Sequence, residues 1–286
     1  MPPVEALAWV ADATGGVVEG CEVLLGAGSS AMHVVTVRHD DGQQEEVVLR
    51  RYVLPGEVHE PDVAGREAAA LELAEQLEVP TPRLIGCDPT GSRSGVPAVL
   101  MSRLDGRPVW QPRHRRSWCE QLVETMEMVH DMPVPADTAI GEYQPYPQTS
   151  YAPPAWAGKP AVWERAVEVF HGPAPTGPGR FVHRDFHPGN VLWQRGRLTG
   201  LVDWQHACVG PPMVDVGHLR LNLFFYDRDL TEQFTETWER LTASTYDPWA
   251  DVVAIIGMLD NLRATPPNHR ARITIESALA AATASP

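Results

Sequence analysis

The hydrophobic period changes once along this 286-residue chain, and that change restricts the fold more than any other feature. Before residue 102 the apolar runs are short and bounded by turn residues. Residues 17–25 are β-rich with Gly20 inside them, and residues 32–37 and 46–50 flank the hairpin signal Asp41-Gly42. Two more short runs follow at 84–86 and 98–101. Only residues 64–77 break the series, with Ala68, Leu71, Ala74 and Leu77 at three-residue spacing before Pro80 and Pro82 stop a helix. After a connector at 102–106 the helical period dominates, over 117–130, 161–170, 215–225, 230–241, 249–263 and 271–282. Between the first two of these, residues 131–160 carry prolines at 133, 135, 145, 147, 153, 154 and 160 and read as a long loop. The expectation is an α+β chain of two lobes: a small β-rich one over 1–102 and a larger, mainly helical one over 103–286.

Composition removes several function classes. Aspartate and glutamate number 37 against 23 lysines and arginines, a net charge of −14. A broad phosphate-binding face needs a basic excess, so nucleic acid is not an expected partner. No run approaches the roughly 18 apolar residues of a membrane span. The start, Met1-Pro2-Pro3-Val4-Glu5, has neither the cationic segment nor the apolar run of a secretory signal. Cys21, Cys87, Cys119 and Cys208 are far apart and suggest neither a disulfide framework nor a zinc ribbon. The expectation is a cytoplasmic protein with no membrane partner. Lys159 is the chain's only lysine, which constrains any mechanism that calls for one.

Residues 181–204 carry the chemistry. Phe181-Val182-His183-Arg184-Asp185-Phe186-His187-Pro188-Gly189-Asn190-Val191-Leu192-Trp193 is followed, after an apolar run, by Leu201-Val202-Asp203-Trp204. The order is His-Arg-Asp, four residues, Asn, and an Asp thirteen residues later. This matches a phosphotransfer loop, in which the first Asp accepts a substrate hydroxyl proton and the Asn and second Asp hold magnesium. Transfer of a γ-phosphoryl group needs an in-line hydroxyl, a carboxylate to orient it and divalent cations to offset phosphate charge. Mg²⁺ takes few protein oxygens and keeps its other positions for water and phosphate, so Asn190 and Asp203 can suffice.

Two rivals belong to other classes. His183, Asp185, His187, Asp203 and His206 could ligate a hydrolytic metal, but no histidine pair sits at a helix i, i+4 spacing between other recognisable zinc ligands, and Asn190 would go unexplained. A nucleotide-binding pseudokinase would account for the missing lysine, against the presence of Asp185, Asn190 and Asp203. ATP consumption in the presence of Mg²⁺ separates the three.

Residues 181–220 resemble the aminoglycoside phosphotransferase/choline-kinase-like family of small-molecule kinases, which has a protein-kinase-like fold. His187-Pro188-Gly189 before the Asn, and Val202-Asp203-Trp204 in place of Asp-Phe-Gly, are similar to that branch rather than to protein kinases. Gly210-Pro211-Pro212-Met213-Val214-Asp215-Val216-Gly217-His218-Leu219 resembles the family's following Gly-Asp-Pro-x-x-Asp-Leu element without its first Asp. The resemblance implies that Asp185 is catalytic, that Asn190 and Asp203 hold Mg²⁺, that ATP or GTP is co-substrate, and that His183 and Asp215 brace the loop.

More weakly, the resemblance extends over nearly the whole chain. It places Gly28, Ser29 and Ser30 over the nucleotide phosphates and Met101 and Arg103 in the adenine-binding hinge. Glu67 corresponds to the helix glutamate that anchors a phosphate-binding cation. That cation is normally lysine; Arg50 stands at the strand position, and its neighbour Arg51, facing the other way, is the competing assignment. For the acceptor, ten acidic residues against six arginines after Met213 suit a cationic amino-sugar or choline-like alcohol, with Asp227, Asp229 and Asp260 as candidate contacts. A macrolide or a metabolic alcohol remains open.

Overall fold

The computed structural model describes residues 1–24, 30–53, 62–175 and 177–284. The chain divides into two compact units, Met1–Gly106 with Pro135–Gly141 and Thr199–Ala207, and Arg107–Val134 with Glu142–Leu198 and Cys208–Pro286. The first unit therefore closes at Gly106 rather than at 102 and takes back two later segments, one of which carries Asp203.

In the first unit, helix α1 (Val4–Thr14) precedes strands β1 (Val17–Val23), β2 (Ala31–Arg38) and β3 (Gln44–Arg51), helix α2 (Val63–Ala74), and strands β4 (Leu84–Asp88) and β5 (Ala98–Ser102). The five strands form one antiparallel sheet in the order β1-β2-β3-β5-β4. Helix α1 lies outside the periodicity reading above, although Ala6, Trp9 and Val10 have the i, i+3, i+4 spacing of a buried face. It ends at Gly15, whose φ of 67° is the left-handed conformation that glycine enters without a Cβ clash. Ala6, Trp9 and Val10 pack on Val35, Val37, Val47, Leu49, Ala98 and Leu100. Successive strand side chains alternate faces, so Val48 and Arg50 lie on the opposite side of β3 from Val47 and Leu49.

The second unit contains strand β6 (Arg107–Pro108), helices α3 (Arg115–His130) and α4 (Pro160–Phe170), and strands β7 (Arg180–Val182) and β8 (Val191–Gln194). Strand β9 (Arg197–Leu201) carries the chain into the first unit; β10 (Cys208–Gly210) and α5 (Met213–Phe224) return it to the second. Then come α6 (Arg228–Thr242), α7 (Trp249–Gly257), α8 (Leu259–Ala264) and α9 (His269–Ala282). The helix expected over 249–263 is thus two, broken at Met258, which lies outside helical geometry at φ −111° and ψ 18°. The core joins Trp163 and Phe170 of α4, Leu221 and Phe224 of α5, Val252, Ile255 and Ile256 of α7, and Ile275 and Leu279 of α9. Full burial of each such side chain contributes about 1.5–3 kcal/mol.

The proline-rich stretch is fastened to these helices. Gln148 donates to the Gly257 carbonyl at 2.7 Å and accepts the Asp260 N–H at 2.7 Å, while the Trp156 indole N–H donates to the Leu262 carbonyl at 3.1 Å. Among the described residues, no helix is long and apolar enough to cross a membrane.

Candidate active site

Strands β7 and β8 hold the ends of the loop 183–190, and Asp215 in the first turn of α5 fixes its start. Asp215 is fully buried; its Oδ1 accepts the Arg184 backbone N–H at 2.6 Å and its Oδ2 accepts that of His183 at 2.9 Å. These bonds secure a backbone that turns sharply, since Arg184 has φ 67°, a left-handed value that costs a residue with a Cβ about 1 kcal/mol or more. His130, in the last turn of α3, places Nε2 3.0 Å from Asp215 Oδ2. Burial opposes charge on this ring, but hydrogen bonds to Asp215 and Glu127 outweigh it and raise the His130 pKa to about 9. The Arg184 guanidinium donates to the Gln144 carbonyl and lies 3.9 Å from the Tyr146 ring centroid.

Asp185 projects from this braced loop with both carboxylate oxygens engaged. Its Oδ2 accepts from the Asn190 amide nitrogen at 3.0 Å, and the same nitrogen donates to the Asp185 backbone carbonyl at 2.9 Å. Its Oδ1 lies 2.9 Å from His218 Nε2 and 3.7 Å from His187 Nε2. Burial would raise this carboxyl's pKa, but the two imidazoles hold it well below the usual carboxylate range.

Asp185, His187 and His218 form a triad of potential metal ligands whose donor atoms lie within 4.8 Å of one another. The tautomer of His187 argues against that use. Its Nδ1 accepts the Gly189 N–H at 3.0 Å, so in the neutral ring the proton sits on Nε2, the atom facing Asp185. A protonated nitrogen cannot ligate, which removes the main support for a hydrolytic metal centre. By contrast, the Asn190 amide nitrogen is committed to Asp185, which leaves its oxygen, the harder donor, for a cation such as Mg²⁺.

A cavity of about 550 Å³ opens beside Asp185, lined also by His187, His218, Leu221, Asn222, Phe225, Met258, Asn261 and Leu262. Among the described residues, Asp185 is the only carboxylate in its lining.

The first unit holds a second cluster. Arg50, 2 % exposed, donates from Nη1 to Glu67 of α2 and, at 2.8 Å, to Asp203 Oδ1. Tyr52 donates its hydroxyl to the other Glu67 oxygen. Burial opposes the guanidinium charge, yet Asp203 and Glu67 raise its pKa well above the ordinary arginine value. Burial pushes Glu67 upward, with Arg50 acting against it. Asp203 has φ 71° and one oxygen on Arg50, leaving the other as a hard donor. Arg51, one residue on, faces the α1 side of the sheet and donates to the Ser94 carbonyl at 3.2 Å. Of the two arginines, Arg50 is the partner of Glu67.

Other expected site residues are placed as follows. Gly28 and Ser29 lie outside the described residues, and Ser30 is buried immediately before β2. Met101 is buried in β5, and Arg103 pairs with Glu46 at the surface. Asp227 caps α6 by accepting the Leu230 N–H at 3.2 Å and pairs with Arg115 at 2.6 Å. Asp260 accepts from the Thr149 N–H at 2.7 Å and pairs with Arg263 at 2.9 Å. Asp229 is exposed in the first turn of α6. None of these three lines the cavity at Asp185. The sequence reading did not single out His218 or His130. His218 lies three residues after Asp215, one helical turn along the same face, and that spacing was the available signal.

Residues 25–252 match the phosphotransferase enzyme family, APH. The chain belongs to that family. A homoserine kinase of Chelativorans sp. (strain BNC1) is 26% identical over 169 residues, 51% of this chain and 47% of that protein, so the chain spans about half the length of this relative. Two solved structures resemble it closely in fold. Macrolide 2'-phosphotransferase from Brachybacterium faecium superposes with a TM-score of 0.60 at 19% identity, covering 96% of this chain and 98% of that one. Aminoglycoside phosphotransferase APH(4)-Ia, in ternary complex with ADP and hygromycin B, gives a TM-score of 0.66 at 14% identity with 98% of both chains covered. The family's fold is the protein-kinase-like α+β arrangement, with a small β-rich lobe and a larger mainly helical one.

Proposed function

We propose that this chain moves the γ-phosphate of ATP or GTP to a hydroxyl of a small, uncharged or zwitterionic alcohol. The observation that carries this reading is Asp185. Its carboxylate is held ionised by two imidazoles, pinned by Asn190, and directed into a cavity lined by neutral polar and apolar side chains. An ionised carboxylate at that place can orient an acceptor hydroxyl and take its proton as the phosphoryl group arrives. Asn222 and Asn261 supply hydrogen bonds, while Leu221, Phe225, Met258 and Leu262 enclose an apolar body.

Among the described residues, the lining offers a polycationic amino-sugar no carboxylate besides Asp185, and Asp227 and Asp260 lie outside it, occupied by arginines and backbone N–H groups. We therefore place homoserine-like alcohols ahead of aminoglycosides. The named acceptor of the relative, homoserine, and the hygromycin B bound by a fold neighbour both bear hydroxyls. Arg50, steadied by Glu67, is assigned to the nucleotide phosphates through Nη2, which faces Met32 Sδ at 3.4 Å, since Nη1 serves Glu67 and Asp203. Ser30, Met101 and Arg103, with Gly28 and Ser29, are assigned to the rest of the nucleotide. Asn190 and Asp203 are assigned to Mg²⁺, which when bound would offset charge on the phosphate oxygens.

The test is ADP or GDP release from Mg·ATP and Mg·GTP against homoserine, other amino-alcohols, macrolides and aminoglycosides. Phosphorylation of a small alcohol is the expected outcome. Tight nucleotide binding without transfer to any of them would establish a pseudokinase instead.

A further inference from the structure

We propose that His218 is a positioning residue for phosphoryl transfer, acting through Asp185; this rests on the function proposed above. His218 is 8 % exposed, lines the same cavity as Asp185, and brings Nε2 to 2.9 Å from Asp185 Oδ1. An ionised carboxylate only accepts, so at this distance Nε2 carries the proton and donates. His187 cannot stand in for it, because 3.7 Å is beyond hydrogen-bond reach.

The carboxylate is thereby clamped at two points, with Asn190 on Oδ2 and His218 on Oδ1. One anchor would leave the group free to turn about its Cβ–Cγ bond; two anchors on different oxygens fix the plane. Each oxygen has two lone pairs, so Oδ1 keeps one for an incoming hydroxyl in the cavity. One turn of α5 governs the whole arrangement. Asp215 holds the loop backbone, and His218 three residues later holds the carboxylate that the loop presents.

In the step itself the acceptor O–H proton passes to Asp185 Oδ1 as the acceptor oxygen bonds to the γ-phosphorus. The bond from that phosphorus to the β–γ bridging oxygen breaks, and the nucleoside diphosphate leaves with the electron pair. His218 keeps its proton throughout. Its part is geometric, and misplacing a reacting group by about 1 Å can cost on the order of 10²-fold in rate.

The experiment compares wild type with His218→Phe, which keeps a ring without a donor, and His218→Gln, whose amide nitrogen can replace Nε2. Each is also combined with Asp185→Asn. ADP release from Mg·ATP is followed with homoserine, 1-amino-2-propanol and hygromycin B as acceptor probes, and nucleotide affinity and thermal unfolding are measured alongside. We expect His218→Phe to lower kcat about 10²-fold with nucleotide affinity within about 3-fold, and His218→Gln to recover most of it. In the Asp185→Asn background His218→Phe should add less than about 3-fold, as for two residues acting as one unit. Histidine ¹⁵N NMR should show Nε2 of His218 protonated in the wild-type protein, whatever the acceptor.

A bare Nε2, wild-type kcat in a folded His218→Phe protein, or an undiminished His218→Phe loss on top of Asp185→Asn would each overturn the inference while leaving Asp185 as base. Normal turnover by Asp185→Asn alone would instead overturn the functional reading, and this inference with it.

Discussion

Arg50 reaches Asp203 from 153 positions away in sequence, with Nη1 2.8 Å from Oδ1, while the same nitrogen serves Glu67. One guanidinium thus neutralises two carboxylates, one of them fully buried. Removing it strands the buried Glu67 charge, which typically costs 3–5 kcal/mol. Arg50→Met should lower unfolding stability by about that amount in urea titrations. Arg50→Lys should cost less, because a lysine keeps the charge but lacks the planar fork. An Arg50→Met protein with an unchanged urea midpoint would show that the cluster contributes nothing to stability.

Asp185→Asn keeps the shape and the Asn190 contact but removes the proton acceptor. Turnover should drop by at least about 10³-fold while nucleotide affinity stays within about 3-fold. Steady-state kinetics paired with nucleotide titration checks both numbers. Near-normal kcat would remove Asp185 from its assigned role.

The His130–Asp215 pair predicts a particular pH dependence of stability. The folded-state pKa of about 9 lies above the ordinary histidine value, so the folded protein binds this proton more tightly than the unfolded chain. The contribution, on the order of 3 kcal/mol, is fully present below about pH 6.5 and is lost as pH rises through 9. Urea unfolding measured from pH 6 to 9.5 should therefore weaken with pH. His130→Asn should be less stable at pH 6 and should flatten that slope. A parallel slope in the variant would mean that the proton is held elsewhere.

The neutral lining of the cavity predicts acceptor choice. Asn222→Asp combined with Asn261→Asp should shift kcat/KM toward amine-bearing acceptors relative to uncharged alcohols, by about tenfold or more, since opposite charges attract at close range. Competition assays with paired acceptors read this ratio. If the double variant leaves it unchanged, acceptors do not occupy this cavity.

The sequence made some of this legible and hid the rest for identifiable reasons. The sheet was readable because alternation and the Asp41-Gly42 turn are local signals, and β2 and β3 pair in full register around that turn. Helix α1 carried the same kind of signal in Ala6, Trp9 and Val10 and was passed over. The three- to five-residue strands β7 to β10 are too short for any period to emerge. The choice between Arg50 and Arg51 turned on strand parity, and parity only acquires meaning once α2 is known to lie on the Arg50 face. The cavity was hidden more deeply: α5 and α8 meet there from about forty residues apart, and charge counting after Met213 pointed to Asp227, Asp229 and Asp260, none of which lines it, with Asp227 and Asp260 already paired to arginines.

The tie between Arg184, Tyr146 and the Gln144 carbonyl also bears on how the segment before Asp185 keeps its shape. A guanidinium laid on a ring face and tied to a peptide oxygen fastens the residue next to Asp185 to the stretch at 144–146, so the left-handed turn at Arg184 is anchored from its side chain as well as from its backbone.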